Sequence, residues 1–235
     1  MDPSRAMLLL PLWYVAFLLS LTCHEAAHAL VAAWGGDRTA YLGGQVTLNP
    51  IPHMRREPVG TILLPLLSYL QAGWMMGWAS APYDPRWEER YPGRAAAMAA
   101  AGPAANLLLG FLAFAALRAG LLLGTWEPIA GSTVALDQLV VATSHRTAIF
   151  EGLGRLLSIM LVLNLLLFLF NLLPLPPLDG ASVLAGVVAP ARGLMRRMRG
   201  SPLFALAWIL VASVLARYLF SPILLWILGR LYAGC

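Results

Sequence analysis

Residues 7–34 read MLLLPLWYVAFLLSLTCHEAAHALVAAW, an apolar run interrupted only near its end by His24-Glu25-Ala26-Ala27-His28. Its length decides the fold class. About 20 apolar residues at 1.5 Å each cover a hydrocarbon core of ~30 Å, and the stretch from about Ala6 to Trp34 exceeds that before Gly35-Gly36 stops it. It is too long for the apolar core of a signal peptide and has no small-residue cleavage pattern, so it is expected to be retained.

The rest of the chain has the same character. Of 235 residues, 60% are hydrophobic and 11% charged, with a mean hydropathy of +0.73, a composition that places the chain in a lipid bilayer. The net charge of +5 comes from arginine alone, since the sequence has no lysine. These arginines lie mostly between apolar segments, which points to membrane topology and excludes a nucleic-acid-binding function. Cys23 and Cys235 have no spacing that suggests a disulfide framework or a thiolate metal site.

Five further features organise the chain after the first segment. Tyr41 to Leu48 mixes glycine with alternating polarity ahead of Asn49-Pro50 and reads as a short β-hairpin or edge strand. A second apolar stretch, about 59–80, is broken by Pro65, Gly73 and Gly77 and either crosses the membrane or re-enters it, with a charged loop rich in proline and tryptophan at 81–94. A third apolar segment covers about 95–123, and a polar connection fills 124–153, whose run from Ile129 to Thr143 is too short and too charged for a span. A fourth covers about 156–173 and runs into Pro174-Leu175-Pro176-Pro177-Leu178-Asp179-Gly180, where three prolines forbid a continuous helix. A short helix at about 181–189, the arginines 192, 196, 197 and 199, and a last span at about 203–229 complete the chain. The expected architecture is an all-α membrane protein, a polytopic helical bundle with a three-helix core (about 6–34, 95–123 and 156–189), one short hairpin-like stretch and one re-entrant segment. Residues 1–235 are expected to form a single membrane-embedded domain.

His24-Glu25-Ala26-Ala27-His28 is an H-E-x-x-H motif on a helix. Residues four apart share a face, so both imidazoles can reach one zinc ion while Glu25, one step round, reaches the water beside it. Zinc lowers the pKa of such a water from about 15.7 to about 7, and the glutamate accepts its proton. With 4 His and 6 Glu in 235 residues, chance supplies about 0.002 such motifs. The competing reading, that the three side chains merely satisfy one another, must meet a cost of at least ~2.5 kcal/mol for each ionisable group placed within a span.

A catalytic zinc takes three protein ligands and keeps one position open. Arg118 and Arg217 cannot bind a cation, and Asp179 is the only carboxylate besides Glu25 set against the membrane core, which makes it the third ligand by elimination. The alternative is that Asp179 only caps the helix beginning at Gly180. His53, after the hairpin-like stretch, is a possible gate or extra ligand or else an interfacial polar residue; His145 reads as a loop residue. Trp74, Trp78 and Trp87 read as interfacial anchors. The Tyr41 to Leu48 stretch could pair with an unwound substrate as an added strand.

These residues carry a resemblance. The H-E-x-x-H helix, the Gly-x-x-x-Asn of Gly102 to Asn106, and the run from Asn171 to Asp179-Gly180 together resemble the site-2 protease family of intramembrane zinc metalloproteases. The resemblance implies a core of three helices, one zinc ion per chain, and His24, His28 and Asp179 as its ligands. It also implies that Asn106 and Asn171 bind the substrate backbone or steady an oxyanion, as amide donors can do without adding charge; Asn106 could instead bond a neighbouring helix. Ala181 stands where many members carry a second glycine. The chain has no room for the PDZ or CBS domains of some relatives and is expected to be a minimal form.

Depth arithmetic constrains the topology. His24 lies 17 residues beyond Met7, about 25 Å along a helix, and the 18 residues from Leu156 to Leu173 cover about 27 Å before the proline run. Asp179 reaches the depth of His24 only if the fourth segment runs parallel to the first, which requires the second to be re-entrant unless a further span lies within 124–150. Residues 35–94 and 190–201 then share one side with ten arginines (38, 55, 56, 86, 90, 94, 192, 196, 197, 199), against Arg146 alone in the 124–150 loop. The positive-inside rule makes that side cytoplasmic. The expected function is hydrolysis of peptide bonds in membrane-spanning or membrane-anchored substrates near the cytoplasmic side of a bacterial or archaeal cell membrane. The alternative, a non-catalytic membrane protein that binds or transports metal, gives no role to Glu25, a carboxylate outside the ligand set.

Overall fold

The computed structural model describes residues 3–129, 135–143, 148–199 and 202–234. Its elements are α1 (Pro3–Trp34), α2 (Thr39–Leu42), α3 (Pro50–Arg56), α4 (Leu64–Ala72, entered through a wide turn at Val59–Leu63), α5 (Pro85–Arg90), α6 (Pro92–Leu122), β1 (Trp126–Pro128), β2 (Val140–Ala142), α7 (Ala148–Asn171), α8 (Asp179–Val187), α9 (Ala189–Arg199) and α10 (Pro202–Leu231). Among the described residues, four stretches are helical, long and apolar enough to cross a membrane: Ala6–Trp34, Pro92–Leu122, Ala148–Asn171 and Ala207–Leu231. The protein is a polytopic all-α membrane protein, with one small two-stranded sheet among the described residues.

In lipid there is little hydrophobic gain from bringing helices together, so association depends on close packing, small residues and buried polar contacts. The core of α1, α6 and α7 has all three. Phe17, Leu117 and Ile159 are almost completely buried. A Cβ on Gly186 would lie 2.4 Å from the Pro92 carbonyl oxygen, so this glycine sets how closely α6 meets α8, while a Cβ on Gly110 would make only ordinary contact with Asn164 at 3.6 Å. The side chains of Ser20, Asn106 and Asn164, one from each core helix, are fully buried and hydrogen-bonded to one another. Contacts of Ser20 with Asn106 and of Gly35 with Arg94 make α6 antiparallel to α1, and the approach of Gly110 to Asn164, with Trp126 set against both Gly120 and Gly154, makes α7 antiparallel to α6 and so parallel to α1.

The second apolar stretch does not cross. Its helix ends at Gly73 (φ 75°), and the chain returns extended, so that the Trp78 amide donates to the Gly60 carbonyl at 3.1 Å. Tyr14 bonds Thr61 and Tyr69 bonds Ala6, so the helical arm descends along α1 toward its N-terminus and the extended arm climbs back. Gly60 and Gly77 permit the closure, since a Cβ on Gly77 would lie 2.1 Å from the Gly60 oxygen. The extended arm ends where the Asp84 amide donates to Asp37 just beyond α1, and both ends of the hairpin lie toward the same end of the bundle.

Three expectations are corrected. Residues 41–48 form no strand: Asp37 binds the Thr39 amide, α2 occupies Thr39–Leu42, and Gly43 and Gly44 (φ 71°) turn the chain before Asn49 caps α3. Polar alternation there reflects turn chemistry, and the two-stranded sheet lies instead in the 124–153 connection, pairing Trp126–Pro128 with Val140–Ala142. The fourth segment begins at Ala148, not 156, because Arg155 is held by Glu151 (3.1 Å) and Asp137 (3.2 Å) and so extends the helix outward. The arginine cluster is the helix α9, and the helix after the proline run begins at Asp179 itself. His145 and Arg146 lie outside the described residues.

Asp37 is buried, yet hydrogen bonds from the Thr39 side chain and amide and from the Asp84 amide outweigh burial and hold its carboxyl below the usual range. Asp37→Ala is expected to lower stability by about 1.5–3 kcal/mol, the usual worth of hydrogen bonds to a charged group. A depressed folded-state pKa stabilises above the unfolded value near ~3.9 and ceases to do so as pH falls through the folded one. The gap between wild type and variant in thermal unfolding in detergent should therefore be full at pH 7 and shrink below about pH 4.

Candidate metal centre

α1 delivers His24, Glu25 and His28 on adjacent faces of one turn, with 5%, 4% and 7% exposure. The four-residue spacing sets the imidazoles edge to face with ring centroids 4.6 Å apart. Asp179 arrives from the opposite direction. The turn at 172–178 delivers it, and Gly180 lets α8 start tight against that turn, since a Cβ there would lie 2.2 Å from the Leu172 oxygen.

The three converging atoms are His24 Nε2, His28 Nε2 and Asp179 Oδ2. His24 Nε2 is 3.0 Å from His28 Nε2 and 3.1 Å from Asp179 Oδ2, and His28 Nε2 is 3.4 Å from the same oxygen. The other ring nitrogens face acceptors: His28 Nδ1 donates to the Met98 carbonyl at 2.8 Å and His24 Nδ1 to Asn106 Oδ1 at 2.6 Å. With the protons on Nδ1, two nitrogen lone pairs and a carboxylate oxygen point at one another. Asp179 Oδ2 is buried without a hydrogen-bond partner.

Such a cluster calls for a cation. Tetrahedral zinc with bonds of about 2.0–2.1 Å puts its ligand atoms about 3.3 Å apart, close to the three separations here. The residues present fit zinc. Glu25 also falls within 4.8 Å of the histidine nitrogens, but it makes no ion pair with either ring among the described residues, so Asp179 is the better third ligand and Glu25 stands beside the set.

α6 forms the roof. A Cβ on Gly102 would lie 2.4 Å from His28 Nε2 and 2.6 Å from His24 Nε2, so only glycine leaves the centre open at that position. Pro103 has no amide and leaves the Ala99 carbonyl without its usual helical donor, and Ala99 lines the adjoining cavity. That cavity, about 290 Å³, is bounded by Glu25, His28 and Asp179 on one side and by Ala79, Ser80 and Ala81 of the extended arm on the other. Glu25, His28 and Asp179 therefore face the same space.

Not every expected residue is gathered here. Asn106 is fully buried: its oxygen serves His24, and its nitrogen donates to Asn164 Oδ1 at 2.8 Å and the Ser20 carbonyl at 3.3 Å. It stands as an orienting partner of His24, the neighbouring-helix bonding that was the alternative to an oxyanion contact, and both of its amide hydrogens are already donated. Asn171 is partly buried, donates to the Leu167 carbonyl at 3.1 Å and does not line the cavity. His53 is buried in α3, where its Nε2 donates to the Thr47 carbonyl at 3.2 Å, and it does not line the cavity either. Met98, Asn164 and Ser20 escaped sequence reasoning. Asn164 carried a usable signal, a lone amide inside an apolar span; Ser20 and the Met98 carbonyl carried none.

Comparison with known proteins agrees with this geometry. "Putative zinc metalloprotease YwhC" of Bacillus subtilis is 36% identical over 217 residues, 92% of this chain and 87% of the relative. "Putative zinc metalloprotease Rip2" of Mycolicibacterium smegmatis is 30% identical over 168 residues, 72% of this chain and 54% of the relative. Its namesake in Mycobacterium tuberculosis is 28% identical over 195 residues, 83% of this chain and 63% of the relative. The chain thus spans less than two thirds of either Rip2 protein. No solved structure matches it. The profile of peptidase family M50 matches residues 12–216, from the first span through Asp179 and into the last, and the chain accordingly belongs to that family, the site-2 protease family of zinc metalloproteases.

Proposed function

We propose that the chain is one membrane-embedded intramembrane endopeptidase that cuts membrane-spanning or membrane-anchored proteins near the cytoplasmic side of a bacterial or archaeal cell membrane. The observation that carries this reading is the location of the His24, His28 and Asp179 cluster between three helices, each long and apolar enough to cross a membrane. In this reading those three residues hold the zinc. When bound, the metal supplies Lewis acidity toward water and toward a peptide carbonyl.

The protein supplies the remainder. Glu25, buried and facing the cavity, accepts the proton of the attacking water and returns it to the departing amine, a role whose requirement is reach of both atoms from one side. Proton-bearing Nδ1 atoms keep both Nε2 lone pairs directed inward. The extended arm supplies a backbone edge: Ala79, Ser80 and Ala81 make no backbone hydrogen bond among the described residues and line the cavity. A substrate helix unwound along this edge gains main-chain hydrogen bonds and exposes its scissile carbonyl to the centre. Here the extended arm takes the part first assigned to residues 41–48. Asn171, at the end of α7, remains a candidate for contact with the substrate beyond the cavity.

Charge supports the orientation. Residues 35–94 follow α1 and are tied back to its C-terminal end by Asp84 and Arg94, and their six arginines, with those of α9, favour a cytoplasmic placement of that end by the positive-inside rule. Single cysteines introduced at positions 81–94 are expected to react with an impermeant thiol reagent only from the cytoplasmic face; reaction from outside contradicts the orientation. The proteolytic reading is tested with a single-span substrate in proteoliposomes. Cleavage should stop on zinc chelation, return on zinc addition, and map to a bond inside the span. A cut confined to the water-exposed flanks would exclude the intramembrane mode.

A further inference from the structure

Resting on the assignment of His24 as a metal ligand, we infer that Asn164 and Ser20 are positioning residues that fix the tautomer of His24 from the far side of the three-helix core. Hydrogen-bond direction decides the orientation. Ser20, Asn106 and Asn164 are each 0% exposed, so their polar atoms must be satisfied by one another, by His24 and by the backbone, the Met160 sulfur at 3.8 Å from Ser20 Oγ and 4.0 Å from Asn164 Nδ2 being only a weak acceptor. The backbone partners are all carbonyls, which only accept.

Direction is set link by link. Ser20 Oγ lies 2.7 Å from the Ala16 carbonyl and must donate its single proton there. It is then an acceptor toward Asn164 Nδ2, 2.8 Å away. The same Nδ2 lies 2.8 Å from the Met160 carbonyl, which excludes the flipped amide because an oxygen cannot face that carbonyl. Asn164 Oδ1 is thereby turned toward Asn106, whose Nδ2 donates to it at 2.8 Å and to the Ser20 carbonyl at 3.3 Å. A flipped Asn106 would set its oxygen against two acceptors. Asn106 Oδ1 must therefore face His24 Nδ1, and that nitrogen must carry the proton.

The consequence is chemical. His24 presents Nε2 as a lone pair toward Asp179 and His28 because the orientation was fixed by main-chain carbonyls on α1 and α7, through two side chains remote from the metal set. Without Asn164, Asn106 loses a partner that forbids its flip, and the flipped amide would accommodate the other tautomer, whose Nε2–H blocks the metal.

The test uses the full-length chain in detergent with competitive zinc titration against a chelator, and ¹⁵N spectroscopy of the histidine rings in the metal-free protein. Asn164→Leu should weaken zinc binding by about 10- to 100-fold, the usual effect of removing an orienting partner. It should also move the His24 ring from a single Nδ1–H form to a mixture containing Nε2–H, a change that general loosening of the helices does not produce. If Asn164→Leu does not fold, the smaller truncation Asn164→Ala decides, with the same ring signature; Ser20→Ala, in which the Met160 carbonyl still holds the Asn164 amide, should show a smaller loss of affinity. His24→Ala is the control. Wild-type zinc affinity in His24→Ala overturns the metal assignment itself; loss there, with affinity and ring shifts unchanged in the Asn164 variant that folds and in Ser20→Ala, overturns only the present inference.

Discussion

Glu25→Gln is expected to keep its zinc and lose its cleavage. The amide fills the same buried space beside His24 and His28, so the ligand atoms have no reason to move, but glutamine cannot accept a proton. General acid–base catalysis contributes about 10²–10⁴ in rate, and a single-span substrate in proteoliposomes should be cut more slowly by that factor. Zinc content measured on the same sample should remain at the wild-type value. Parallel loss of metal and activity would make Glu25 a ligand, and unchanged cleavage would remove it from the reaction.

Gly102→Ala should have an effect of comparable size through a different route. Its new methyl would sit 2.4 Å from His28 Nε2 and 2.6 Å from His24 Nε2, in the space toward which the lone pairs point. Alanine is a better helix former than glycine by about 1 kcal/mol, so α6 itself has no reason to fail. The expected result is a folded protein with zinc binding weakened beyond detection in an ordinary titration and with no cleavage. Wild-type zinc affinity in this variant would mean that the metal lies elsewhere.

Much of this architecture was legible because lipid is a demanding solvent. Segments one and three could be bounded closely from their length and apolarity, since a span must satisfy its backbone internally. The pairing of Asp179 with His24 and His28 followed from elimination and depth, because an apolar bundle offers few carboxylates. Residues 41–48 were illegible for a local reason: their alternation mimics a strand, while the conformation is set by Asp37 and two glycines. The sheet at 126–142 gave no clear pattern, and its anchor is tertiary, Trp126 lying against Gly120 and Gly154 with its indole donating to the Phe150 carbonyl.

The site was less legible than its ligands. Asn106 stood out in the sequence as an amide in a small-residue motif, but whether it faced substrate or metal ligand depended on Asn164, 58 residues away, and on Ser20, 86 residues away. No local pattern encodes such a pairing. His53 had the right chemistry for a gate, yet the short helix capped by Asn49 turns it onto its own loop. The return of 59–80 was legible from the depth arithmetic, but the extended form of the arm at 79–84 was hidden, because Gly73 and Gly77 read only as helix breaks.

Zinc K-edge absorption on the full-length chain, compared with Asp179→Ala, tests the metal assignment at its root. The expected result is one zinc per wild-type chain with two imidazole nitrogens and carboxylate or water oxygen at about 2.0–2.1 Å, and loss of that signal with the bound metal in the variant. Retention of a full complement of zinc with the same ligand sphere in Asp179→Ala would contradict it.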